Sequence, residues 1–413
     1  MKSKNILYVA IALIAILVVG YFMMKPRLAR NTYNQGLALI DSAKYQEAYE
    51  KFDKAVRLNP SVSDYYFKRG NALSALSKDS LAIADYAKAL GMDSSRYDYY
   101  LYLGISMRKI NQLELALINF NKSITLNDSV SKAYFERGLT EAAMLSYDAA
   151  IADYNRSIEL DGSNLEAFYS RGESLANVSD FRGAIADYDK MIEGNATPEA
   201  YKQRGIFKSK IQDYEGAIKD LLVAYEKEPA DKELLYNIGD VYSNLKQFDD
   251  AIKYLDKAIS IDPKYDIAYG ITGGAQLRKG DYRAAIVSFD KAIQLKPDYL
   301  KAIYGRGIAK AFTKDYKGSI SDFSKVISLD KNFSQAYYNR AVSKAILGNH
   351  KDALPDYDMA VKADPRNAEA YYNRGISRMN VQDTNGGCDD FHKSFELGYA
   401  PAEQMIKIYC PKK

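Results

Sequence analysis

Few side chains in this sequence have the types and spacing for chemistry. Its 413 residues include two histidines and two cysteines. His350 falls in a turn-like stretch and His392 in a helical one, too far apart to join Cys388 and Cys410 in a zinc site, so no metal is expected. Gly273-Gly274 precedes no Lys-Ser or Lys-Thr pair, and no glycine-rich phosphate loop is visible. Neighbours such as Asp189 and Lys190, or Asp256 and Lys257, read as solvated helix faces. No catalytic residue, cofactor or small-molecule substrate is expected, and an enzyme working in a groove of the fold is the least favoured reading. Cys388 and Cys410 remain open between two states. If a terminal helix folds back, an oxidising compartment would let them clip it in place, whereas in a reducing one they are two small hydrophobes.

A second pattern joins opposite charges. Arg69, Arg137, Arg171, Arg204, Arg306, Arg340 and Arg374 are followed, each sixteen residues later, by Asp85, Asp153, Asp187, Asp220, Asp322, Asp356 and Asp390. Four equivalent places without the arginine hold Lys51, Asn119, Tyr254 and Ser288 instead of the acid. The match fails between neighbouring units, because the unit after Arg69 has Asn119 and the one before Arg306 has Ser288. A salt bridge inside each unit is therefore expected, with nitrogen and oxygen within about 4 Å. Partly exposed, such a pair contributes about 1 kcal/mol or less. Arginine suits bidentate grip on a ligand carboxylate, but one already paired is not free for that task.

What positions these residues is a period. The small residues Gly36, Gly70, Gly104, Gly138, Gly172, Gly205, Gly239, Gly273, Gly307, Ala341 and Gly375 recur every 34 positions, with one interval of 33. A fixed period of this size belongs to stacked supersecondary units. Within residues 232–265, Leu235, Ile238, Gly239 and Tyr242 mark one amphipathic helix, and Ala251, Ile252, Leu255, Ala258 and Ile259 mark a second. Pro263 follows, where it can end the pair. Three irregularities stand out: the unit 165–197 is one residue short, which predicts a local change of twist. Pro355 lies inside a second helix and should kink it, and Thr384-Asn385-Gly386-Gly387 opens the last one.

These units resemble the tetratricopeptide repeat over residues 29–401. The fourth-position aromatic is usually Tyr, as at Tyr201, Tyr269, Tyr337 and Tyr371. The alanine of the second helix stands at Ala48, Ala82, Ala116, Ala150, Ala184, Ala217, Ala251, Ala285 and Ala353, with Ser319 and Gly387 as departures. The resemblance implies an all-α, right-handed superhelical α-solenoid of eleven helix-turn-helix repeats. It also implies a capping helix over residues 402–409, within a tail of 402–413. First helices line the concave wall in that family, which makes Tyr169, Tyr236, Asn237, Tyr304, Tyr338, Asn339, Tyr372 and Asn373 candidates for a peptide-binding groove. Tyr offers apolar area with a polar tip and Asn can bond a peptide backbone. The same aromatic stripe also suits packing between repeats. The Lys-plus-Asn carboxylate clamp of some members is not visible.

The first 28 residues stand apart. Residues 5–24 carry no charge and, at about 1.5 Å per residue, are long enough as a helix to span a bilayer core. A single transmembrane anchor is expected, with a cleaved signal peptide and a soluble exported scaffold as the alternative. Flanking positive charges balance across the span, so they do not orient it. Lys2, Lys4, Lys25, Arg27 and Arg30 are the basic residues of the first thirty, so 52 of the 57 basic residues face all 53 acidic ones beyond them. A body that near to neutrality argues against a nucleic-acid partner. The expectation is a membrane-tethered scaffold for protein or peptide partners, with the repeats placed on the extracytoplasmic side.

Overall fold

The computed structural model describes residues 2–410, apart from the side chains of residues 2–10, 14–18, 21 and 22. Among the described residues there are 23 α-helices and no strand, in two compact units, Met1–Ala196 and Thr197–Lys413. The first unit holds α1 (Lys2–Asp41), α2 (Tyr45–Leu58), α3 (Ser63–Ala75), α4 (Asp79–Met92), α5 (Tyr97–Lys109), α6 (Leu113–Leu126), α7 (Ser131–Ala143), α8 (Tyr147–Leu160), α9 (Leu165–Asn177) and α10 (Phe181–Gly194). The second holds α11 (Pro198–Lys210), α12 (Tyr214–Lys227), α13 (Lys232–Asn244), α14 (Phe248–Ile261), α15 (Asp266–Lys279), α16 (Tyr282–Leu295), α17 (Leu300–Phe312) and α18 (Tyr316–Leu329). It continues with α19 (Ser334–Ile346), α20 (His350–Ala363), α21 (Ala368–Asn380), α22 (Thr384–Glu396) and α23 (Pro401–Tyr409).

Odd-numbered first helices pair with the even-numbered second helices that follow. Within the second unit α11, α13, α15, α17, α19 and α21 also touch in succession, so first helices share one face. The close approach inside each pair explains the small residues. A Cβ on Gly138 would lie 2.7 Å from Cε1 of the Tyr154 ring, and the second-helix alanines are wholly buried opposite. Buried side chains therefore follow the helical period in both helices: Leu234, Leu235, Ile238 and Val241 in α13, and Ala251, Leu255 and Ala258 in α14.

Each pair turns on a single left-handed residue. Ser77 has φ of 59°, its N–H bonds the Ser74 carbonyl at 3.0 Å, and the Lys78 N–H reaches back to Leu73 at 2.9 Å. This is the Schellman closure, usually built on glycine. Here Ala43, Asn111, Leu145, Ser179, Gln212, Lys246, Lys314 and Gln382 take the same place, with glycine only at Gly280 and Gly348.

Several expectations change. The boundary expected between residues 28 and 29 falls inside α1, which runs through Pro26 into the first repeat, since proline's fixed φ fits a helix and only one backbone donor is lost. The kink expected at Pro355 falls within α20, which is helical on both sides of it. The short repeat, residues 165–197, economises in its exit, where only residues 195–197 separate α10 from α11. The transmembrane segment expected at 5–24 falls largely on side chains outside the described residues. Among the described residues no helix is long and apolar enough to cross a membrane.

Candidate functional site

The seven arginine–aspartate pairs are brought together in every case. Each guanidinium Nη2 lies 2.5 to 2.6 Å from the aspartate Oδ1 of its own repeat. The Nε donates to the other oxygen at 2.7 to 2.9 Å. The fork is bidentate, and in six of the seven repeats the fourth-position aromatic lies over it, as with Arg374 5.3 Å from the Tyr371 ring centroid, whereas Arg306 has Ile303 there.

Two further contacts were not visible in the charge pattern. The remaining nitrogen, Nη1, reaches the preceding repeat: Arg69 to Asp53, Arg137 to Asn121, Arg171 to Asn155, Arg306 to Asp290, Arg340 to Ser324 and Arg374 to Asp358. In the second unit another cation, one helical turn after the arginine, binds the same aspartate: Lys208, Lys310, Lys344 and Arg378 hold Asp220, Asp322, Asp356 and Asp390. The aspartates are buried. Burial pushes the carboxyls of Asp187 and Asp390 up, opposed by the paired Arg171 and Arg374. The acid of each pair is thus removed from water, while the guanidinium keeps 12–24% of its side chain exposed.

The candidate groove residues lie on the first helices, but much of their polarity is spent between repeats. Asn339 Nδ2 donates to the Tyr304 hydroxyl and Asn373 Nδ2 to that of Tyr338, both at 2.9 Å. Asn237 bonds the Glu233 carbonyl of its own helix. The rings pack on aromatics of the neighbouring second helices, Tyr169 on Tyr188, Tyr338 on Tyr357 and Tyr372 on Phe391. Tyr236 meets Tyr265, which caps α15, and Tyr304 meets Phe323 of α18 and Phe333, which caps α19. Burial holds the hydroxyls of Tyr236 and Tyr338 up to about 12, which leaves them protonated at neutral pH.

The more open part of this face is apolar and was not singled out from the sequence. Phe312 is 60% exposed and Ile346 56%. They border a hollow of about 220 Å³ between α17 and α19, floored by Ile308, Val342 and Phe323. Its signal was the residue after each repeat's small residue, Ile308 after Gly307 and Val342 after Ala341, where α13 instead carries Asp240.

Elsewhere, Cys388 on α22 and Cys410 beyond α23 form a disulfide that ties the last helix to the last repeat. His350 lies 3.4 Å from the Ser377 hydroxyl. Among the described residues no cluster of three or more His, Cys, Asp or Glu is placed to hold a metal.

Tetratricopeptide repeat patterns match residues 33–98, 131–164, 233–265, 268–299 and 338–379. Heat shock protein STI1 of Saccharomyces cerevisiae is 33% identical over 86 residues, 21% of this chain and 15% of that protein's length. Among solved structures, YrrB, described as a TPR protein with an unusual peptide-binding site, is 22% identical with a TM-score of 0.41, covering 45% of this chain and 97% of its own. Yeast Tom70 is 14% identical with a TM-score of 0.40, covering 93% and 96%. With these matches falling on its helix pairs, the chain belongs to the tetratricopeptide repeat family.

Proposed function

We propose that the chain is a protein-interaction scaffold that docks protein or peptide partners on the first-helix face of its second unit. The observation that carries this is the exposed apolar hollow at Phe312 and Ile346; Phe312 stacks on Tyr282 of α16 with ring centroids 4.5 Å apart and is still 60% exposed. Exposed apolar area rimmed by polar groups is what a partner covers. We further propose that residues 5–24 anchor it in a membrane with the repeats on the extracytoplasmic side. The uncharged stretch supports the anchor. The Cys388–Cys410 disulfide supports an oxidising compartment.

The test is quantitative co-purification of intact complexes with the full chain and with the Phe312→Asp, Ile346→Asp double variant, helicity being checked by circular dichroism. Partners should be lost selectively from a folded variant. Equal recovery by both proteins would overturn the docking face. Carbonate extraction of membranes tests the anchor separately, and release of the full-length chain would sink it.

A further inference from the structure

Beside the apolar hollow lies a group of charges that the repeat architecture does not use. Asp240 on α13 is half-buried, and its side chain forms no hydrogen bond or ion pair among the described residues. Three cations act on it, Lys210 from α11, Arg278 from α15 and Lys301 from α17. All three are exposed. None is in an ion pair among the described residues, and Arg278 makes a long contact of 3.5 Å to the Ser243 hydroxyl. Neighbouring cations differ in this respect. Lys202 is held by Glu199 and Asp231, Lys208 by Asp220 and Lys310 by Asp322. Glu233 and Asp266 act on the Tyr265 ring, and Asp266 also on Tyr299, but neither acts on Asp240. Three positive charges thus surround one carboxylate on four successive first helices. At Gly274, in their midst, an added Cβ would meet nothing within 4 Å, so the surface there is open.

Lys301, Ile308 and Phe312 are spaced by seven and four residues on α17, which puts the cation and the hollow on one side of the same helix. Two turns separate Lys301 from Ile308, about 10 Å. An extended peptide covers at most about 3.3–3.6 Å per residue, so about three residues bridge that distance.

We infer that this face selects an extended acidic segment, in which a carboxylate meets Lys301, with Lys210 and Arg278 beyond it, and a bulky apolar residue about three positions away enters the hollow at Phe312. The inference rests on the docking face proposed above and adds the chemistry of what docks there. The excess positive charge steers and orients the segment, while the apolar residue supplies most of the affinity. Asp240 opposes the acid and offsets the mutual repulsion of the cations when the face is empty.

The experiment is fluorescence anisotropy of the full chain with short labelled peptides. The probe carries two glutamates, a two-residue spacer and phenylalanine. Companions replace glutamate by glutamine or lysine, lengthen the spacer, or replace phenylalanine by alanine. The glutamate peptide should bind about tenfold or more tightly than the glutamine one, with the advantage shrinking as salt rises. Lys301→Ala should remove that advantage and Asp240→Asn should increase it. Both are exposed or half-buried polar sites at which folding should survive. Binding of the glutamine or lysine peptide as tight as that of the glutamate peptide, indifference to spacer length, or weaker binding by Asp240→Asn would overturn the acidic motif while leaving the docking face standing. If no peptide binds while Phe312→Asp, Ile346→Asp still strips partners from complexes, the motif is wrong and the face is right. Loss of both results removes the two together.

Discussion

Replacing Asp322 by alanine tests what the buried charge pairs contribute. Its carboxylate is 3% exposed and receives Arg306 Nη2 at 2.5 Å, Arg306 Nε at 2.9 Å and Lys310 Nζ at 2.9 Å. Removing it leaves two cations facing each other across the gap. Breaking a buried pair from one side costs about 3–5 kcal/mol, against about 1 kcal/mol for a solvent-screened one. Both cations are 19% exposed and Arg306 keeps Asp290 at 2.6 Å, which places the loss near the lower end, about 3 kcal/mol. Repeat arrays open locally, so the measurement is hydrogen exchange resolved over α17 and α18. Opening there should quicken by more than about a hundredfold, since each 1.4 kcal/mol is a factor of ten. The double replacement Arg306→Met with Asp322→Leu should recover most of the loss, because an apolar pair leaves less buried charge uncompensated. A loss below about 1 kcal/mol for Asp322→Ala would refute the reasoning and show that water screens the pair after all.

Leu145 holds φ of 62° in its turn while 71% exposed, so its side chain gives up backbone comfort for almost no burial. Leu145→Gly should stabilise the α7–α8 pair by about 1 kcal/mol in urea denaturation, and no gain would mean that the turn tolerates the side chain without strain. Burial pushes the Asp240 carboxyl above its ordinary 3.8, so the folded chain keeps that proton to higher pH than the unfolded one. Its ionised form therefore lowers stability at neutral pH, a cost relieved as pH falls through the raised value and absent once both states are protonated. Asp240→Asn should raise the melting temperature at pH 7 and lose that advantage below about pH 4; a gain that grows on acidification would contradict the sign.

The helix pairs were legible because their cause is local: the 34-residue beat records where Gly138 must admit the Tyr154 ring and where Ala150 must let two backbones meet. The arginine–aspartate contacts were legible because both partners are specific types at a constant separation. The contacts of Nη1 were not, since Asp53, Asn121 and Ser324 all accept a hydrogen bond and no single residue type marks the place. Nor were the turns, because strong helix pairs on both sides impose a left-handed conformation on Ser77 or Lys246 without glycine to announce it. On the binding face, repeated tyrosines drew notice through their number, yet their rings pack mostly on the second helix of their own repeat, and the hydroxyls of Tyr304 and Tyr338 bond the next repeat. The residues left over, Phe312, Ile346 and Lys301, differ from repeat to repeat and carry no beat.

The third nitrogen of each arginine gives the second unit an uneven mechanical character. Arg306, Arg340 and Arg374 rivet their repeats to the preceding helix pair with directional bonds that resist sliding. The pairs α13–α14 and α15–α16 have Ile238 and Thr272 in that place. Lysine contacts, Lys257 to Tyr225 and Lys279 to Asp249, join them to the preceding pairs instead, on long flexible stems that yield more readily than a planar guanidinium. A load drawn along the unit therefore concentrates its strain in α13–α16, and the compliant segment carries Asp240 and Arg278. Bending there changes the distance between those charges and the hollow on α17, so stretching the unit would alter its grip on a partner.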